Sequence, residues 1–303
     1  MDRDVWSNVM DAVDRSIAKL KPAGRKPTYS HRLVAGMYFW SVWHNQSLSW
    51  ACERDHYNGL FRPRALPSIS RFSRRVKEPI FQRLLQLVHG HLAASGFSSP
   101  VLYVDGKPLV VSPVSKDRDA RRGHVTGGFA KGYKLHAYVT ERRRIIVWSL
   151  TPLNAAEQSM AVLMSGHLPP APPDALTMGD SNFDSALLHK ALGERGRLLL
   201  TPLKAQQRVK DGRHHPVTLR QMGAGRREAI AVDKACPDLK RMVLKQRNNV
   251  EGTFSVLAAA GLSYALPTCV RRIERVRRWV GAKIILYHAR LLAQEQAAAR
   301  AAA

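Results

Sequence analysis

The sequence predicts an α/β chain in which a helical N-terminal third precedes a mixed five-stranded sheet flanked by helices. Three observations carry this. Apolar residues recur at helical spacing through residues 1–100. Five short β-rich runs follow between residues 101 and 203. The first three are sequential and make an antiparallel meander, whereas the last two are reached through helical stretches and can pair in parallel.

The elements follow in order. Val5, Val9, Val13 and Ile17 recur every four positions behind Asp2 and Asp4, which predicts a helix over Asp4–Leu20. KPAGRKP (21–27) reads as a hinge, and the apolar run Leu33–Trp43 as a buried helix. Ser47 caps a further short helix through Trp50 and Ala51, within 47–57. Pro67 and Ser68 precede a short basic helix in 61–76, which could form a helix-turn-helix-like pair with 47–57. Glu78–Ala94 is amphipathic, and GFSSP (96–100) reads as a linker.

From residue 101 the pattern changes. VLYVD (101–105) is a strand ending in Asp105; GYKLHAYVT (132–140) and RIIVWSLTP (144–152) are the next two. Glu157–His167 reads as a helix, Ala175–Met178 as a fourth strand ending at Gly179-Asp180, Ser185–Arg195 as a helix and RLLLTPL (197–203) as a fifth strand. Residues 204–238, polar and rich in Gly and His, receive no assignment. Helices are expected at about 239–258 and 271–296, with a frayed low-complexity end. The expected domains are a helical region (1–98), an α/β domain (99–296) and a disordered tail (297–303). This order of strands and helices is the ribonuclease H-like arrangement.

The chain has 303 residues, with 48 Lys and Arg against 23 Asp and Glu, a formal charge of +25. The excess is spread: 15 basic against 7 acidic in 1–100, 21 against 13 in 101–239, and 12 against 3 in 240–303. A folded body this positive repels itself unless a polyanion neutralises it, and nucleic acid is the leading partner. An apolar content of 45% excludes a wholly disordered basic protein. No apolar stretch long enough for a membrane span is present, and the acidic, amphipathic N-terminus does not read as a signal peptide. Three scattered cysteines form neither a disulfide framework nor a CxxC pair, which favours a reducing interior.

Acids are scarce enough to weigh singly. Asp105 is the only one between Glu78 and Asp117, and it ends the first strand; Asp180 ends the fourth. In this topology those strands are neighbours, so the two carboxylates face each other and require a cation between them. Carboxylates without Cys or His partners suit hard, oxygen-preferring Mg²⁺. Glu251, the only acid between Asp238 and Glu274, lies in LKQRNNVEGTFSVL four residues after Arg247, so both can share a helix face. Glutamate could ligate a metal there while arginine holds a phosphate.

The basic segment LPSISRFSRRV presents Ser68, Ser70, Arg71, Arg74 and Arg75 for contacts to DNA phosphates or guanine edges. Lys131, Lys134 and His136 on the second strand either contact DNA or pair with acids across the sheet. RRIERVRRW (271–279) is a further basic face, and His124, His214 and His215 are not expected to hold metal.

Several strings together resemble bacterial insertion-sequence transposases of the DDE class, whose catalytic domain is ribonuclease H-like. They are YVDGKPL, GGFAKGYKLH, SLTPLNAAEQSMAVL, GDSNFDS and RNNVEGTFSVL, across roughly 100–290. The resemblance implies a catalytic, metal-holding triad of Asp105, Asp180 and Glu251, with Asp184 as a supporting or capping residue. It implies two Mg²⁺ ions, for which Mn²⁺ can substitute, and double-stranded DNA, both element ends and target, as partner. It also implies a homodimer in the DNA complex, no membrane partner, and a place in the bacterial cytoplasm at the nucleoid. Two positions depart from the family pattern: Leu244 stands where a Tyr is common and Ala258 where a Lys or Arg is common. The phosphate-holding role then falls on Arg247, Lys245 or another basic group. The rival readings are a metal-dependent nuclease without strand transfer and a catalytically silent, transposase-derived DNA-binding protein.

Overall fold

Residues 1–94, 109–120 and 256–303 form one unit, and residues 95–108 and 121–255 a second. The computed structural model describes residues 2–20, 27–202, 223–238, 248–259 and 266–303.

In the first unit, α1 (Arg3–Ala18) starts at Asp2, whose side chain accepts the Asp4 N–H at 3.2 Å. α2 (His31–Trp43) is capped by Ser30, which accepts the Leu33 N–H at 3.2 Å. α3 spans Ile69–Lys77, and α4 spans Pro79–Ala93 with the proline in its first turn, where a missing N–H costs nothing. The last helix of the chain, which we label α9 (Ile273–Ala302), packs against α1, α2 and α4. Val5, Val9 and Val13 on α1 and Val276, Val280 and Ile284 on α9 are all buried. Asn8 Nδ2 donates to the Ala289 carbonyl at 3.3 Å and to Gln296 Oε1 at 3.1 Å.

Two expectations change here. Residues 47–57 make two single 3₁₀ turns, Trp50–Cys52 and Arg54–His56, and not a helix. Carbonyls that a helix would use are taken by side chains: His56 Nδ1 lies 2.8 Å from the Trp50 oxygen, and the Tyr57 hydroxyl donates to Ala51. At the other end, the helix continues to Ala302 where a disordered tail was expected over 297–303. Alanine is the strongest helix former, and Arg300 Nη2 donates to Asp4 Oδ2 at 2.7 Å.

The second unit is built on a mixed sheet. β1 is Val101–Val110, β2 Arg121–Val125, β3 Gly128–Thr140, β4 Ile145–Pro152, β5 Ala175–Met178 and β6 Arg197–Leu200. The five expected strands stand in the order β4-β3-β1-β5-β6, with β4 antiparallel to β3 and β5 parallel to both β1 and β6. This is the predicted ribonuclease H-like order. β2 is a sixth strand, antiparallel to the first half of β3. RRGHV lacks the apolar alternation that marks a strand, because its one buried position is Gly123 and Arg121, Arg122 and His124 are exposed. β1 also runs past Asp105 to Val110. Its ladder with β5 ends at Tyr103, so Pro108 removes no hydrogen bond from that side.

Helices α5 (Glu157–Ser165), α6 (Ala186–Gly193), α7 (Ala224–Ala235) and α8 (Asn248–Ala259) complete the described residues of this stretch. Leu102, Val104, Tyr138 and Ile146 of the sheet pack with Ala161, Met164, Leu168, Phe183, Leu188 and Leu192. Each large apolar side chain buried there contributes roughly 1.5–3 kcal/mol. α7 lies within the stretch 204–238 that the sequence left unassigned.

His136 on β3 is almost fully buried, its Nε2 2.8 Å from Thr151 Oγ1. Burial, helped by the nearby Lys134 charge, pushes its pKa down to about 4. The imidazole is therefore neutral in the fold, while the unfolded chain takes up a proton below about pH 6.5. Stability is lost as pH falls from about 6.5 toward 4, by up to roughly 3 kcal/mol from this residue. Thermal melting across that window will show a steeper decline for the wild type than for His136→Gln.

Candidate active site

The parallel ladder between β1 and β5 pairs Val101 with Leu176, Leu102 with Thr177 and Tyr103 with Met178. Asp105 and Asp180 each lie two residues beyond the last of these pairs, so they stand abreast off neighbouring strands. Both are half-buried. Asp105 Oδ1 accepts the Gly106 N–H at 2.7 Å. Asp180 caps the 3₁₀ turn Ser181–Phe183, its Oδ1 accepting the Asn182 N–H at 2.8 Å. The turn is tight: a Cβ on Gly179 would lie 2.9 Å from the Phe183 side chain, which is buried beneath it. Gln158 Nε2 holds the turn from α5 by donating to the Asn182 carbonyl.

Asp184, four residues on, has a fully buried side chain and is engaged by Arg226 of α7, whose Nη2 donates at 2.6 Å to Oδ2. His189 Nε2 lies 3.6 Å from Oδ1. Burial lowers the His189 pKa against the opposing pull of Asp184. Asp184 thus serves as the buried partner of a cation.

The residue after Asp105 reports on the opposite face of β1. A Cβ on Gly106 would meet Glu157 Oε1 at 2.8 Å, and Lys134 Nζ donates to that same oxygen at 2.8 Å. Successive strand residues point to opposite faces, so Glu157 and Lys134 occupy the face that Asp105 does not. Of the alternatives left open for Lys134, the structure places it in an ion pair with an acid. His136 likewise faces the interior.

Glu251 lies in α8 by its backbone, but its side chain is outside the described residues, as are Lys245, Arg247 and Leu244. At its neighbour Gly252, an added Cβ would lie 3.5 Å from the Arg143 guanidinium carbon in the β3–β4 turn. Among the described residues, no three His, Cys, Asp or Glu side chains gather as a metal site. Asp105 and Asp180 carry hard oxygen donors, a type suited to Mg²⁺ or Mn²⁺.

On α3, Ser68 is the N-cap residue, and Ser68, Ser70, Arg71 and Arg74 are exposed. Arg75 turns inward. It pairs with Glu78, donates to the Tyr29 carbonyl at 3.5 Å and lies 3.2 Å from His31 Nδ1. Lys131 is half-buried on β3, directly opposite Arg122 of β2. Sequence reasoning missed two residues around the aspartates. Arg226 lay in an unassigned polar stretch, and Glu157 read only as a helix start.

The family described as "Transposase DDE domain" matches residues 96–288. No curated protein matches the chain closely enough to count as a relative. Among solved structures, it is similar to the piggyBac transposase in a cryo-EM synaptic complex with hairpin DNA. That match has 10% identity and a TM-score of 0.48, covering 98% of this chain and 73% of that one. A likeness so distant bears no argument about this chain. Among the described residues, no helix is long and apolar enough to cross a membrane.

Removing one member of a buried ion pair strands the other charge, at about 3–5 kcal/mol. Arg226→Met will destabilise the protein by that order in chemical denaturation, and adding Asp184→Asn will recover most of the loss.

Proposed function

The chain belongs to the transposase DDE domain family, and on that premise we propose that it is a DNA transposase. It binds the ends of its insertion sequence, cuts them and joins them to target DNA by Mg²⁺-dependent phosphoryl transfer. The observation that carries this is the placement of Asp105 and Asp180 abreast on parallel neighbours, inside the span that the family matches.

Asp105, Asp180 and Glu251 are the residues that would hold the metal. Bound there, two Mg²⁺ ions, or Mn²⁺ in their place, supply Lewis acidity and charge neutralisation at the scissile phosphodiester. The carboxylates fix the donor set, and Arg247 or Lys245 grips a phosphate beside it, which aligns the backbone for in-line attack. The same alignment serves cutting, with water as nucleophile, and joining, with the element's 3′-hydroxyl. The Asp180 turn, pinned by Gln158 and by the Asp184–Arg226 pair, holds the second carboxylate in place. Ser68, Ser70, Arg71 and Arg74 on α3 hold the end of the element, and a homodimer pairs two ends. The protein acts at the bacterial nucleoid.

Asp105→Ala will abolish Mg²⁺-dependent cleavage of end-containing DNA while leaving end binding within about twofold, measured by gel cleavage and fluorescence anisotropy. Cleavage that survives the substitution overturns the triad assignment. A pre-cut end supplied with target DNA will be joined; cutting without joining identifies a nuclease instead.

A further inference from the structure

The hairpin of β2 and β3 carries a pattern that the catalytic reading does not use. Its register pairs Arg121 with Gly132, Arg122 with Lys131, Gly123 with Ala130, His124 with Phe129 and Val125 with Gly128. Paired residues of an antiparallel ladder share a face, and the face alternates along the strand. Arg122, His124, Phe129 and Lys131 therefore lie together on one side. Gly123 marks the other side: a Cβ there would stand 2.6 Å from the Leu153 carbonyl oxygen, so that side is packed against the chain and the first side looks outward.

The outward side is unusual in composition. Phe129 is 73% exposed, against 37% for Phe97, the other exposed phenylalanine among the described residues. Its ring lies against that of His124, with centroids 4.7 Å apart. Arg122 and His124 are exposed beside it. The turn is Thr126-Gly127, and Gly127 with the first residue of β3, Gly128, has φ of +90° and +139°, values that glycine adopts without strain and that bring the strands back tightly. No acid occurs between Asp119 and Glu141.

Resting on the DNA reading above, we propose that this hairpin face is a subsite for an unpaired nucleotide of the DNA strand. The Phe129 ring stacks on the base, and Arg122 with Lys131, the next pair along this face, grips a phosphate beside it. An exposed aromatic beside a pair of cations matches the two parts of a single-stranded nucleic acid: each base has a π-face, and each linkage has a charge. Charge complementarity selects this occupant over a second copy of the chain, since two such faces would bring Arg122, Lys131 and their copies together.

Fluorescence anisotropy with a labelled single-stranded oligonucleotide, and with a blunt duplex of the same sequence, tests the proposal. Phe129→Ala will weaken binding to the single strand about tenfold and to the duplex less than twofold, and Phe129→Tyr will restore the single strand. Arg122→Gln will lower the salt slope by about one phosphate on the single strand. Wild-type protein that binds neither DNA overturns the transposase reading and this subsite with it. Wild-type binding that Phe129→Ala leaves unchanged on both forms overturns the subsite alone. Self-association by sedimentation that Phe129→Ala abolishes assigns the face to a second copy and also overturns it.

Discussion

The parallel register between β1 and β5 is the constraint on which the site depends. A shift by one residue would turn one aspartate to the opposite face of the sheet. In the observed register the two residues stand level, and like charges brought close together favour a cation between them. The ladder is short, three pairs long, and is steadied from outside. β6 continues the sheet beyond β5 through four parallel pairs, and α5 and α6 cover one face with the apolar cluster around Leu102 and Val104.

The acids near these strands divide by partner. Asp184 is committed to Arg226 within the fold, and Glu157 to Lys134 on the face away from Asp105. Those two pairs fix the loop after β5 and the start of α5. Asp105 accepts the Gly106 N–H, and Asp180 accepts the backbone and side-chain N–H groups of Asn182, bonds that orient each carboxylate.

Strongly patterned segments were legible from the sequence. The runs that became β3, β4, β5 and β6 are rich in branched and aromatic residues, and α1, α2 and α4 have clear apolar spacing. Both aspartates could be named because acids are rare and these two follow strand-like runs. What escaped notice depends on tertiary contact. β2 is a strand only because β3 offers it an edge and Gly123 lets it approach Leu153. Residues 47–57 fail to form a helix because His56 and Tyr57 reach back to their carbonyls. The partners Arg226 and Glu157 come from distant stretches whose local pattern carries no trace of the pairing. Arg75 looked like its exposed neighbours until its contacts with Glu78 and Tyr29 were seen.

The first unit draws its helices from both ends of the chain, Asn8 bonding to Ala289 and Asp4 to Arg300. A ribosome adds roughly 5–20 residues per second, starting from the N-terminus. The valine stripe of α1 therefore emerges well before the helix that covers it has been translated. α2 and α4 can pack on α1 early, but the part of the stripe that faces α9 stays open to chaperones and proteases until the last helix is made.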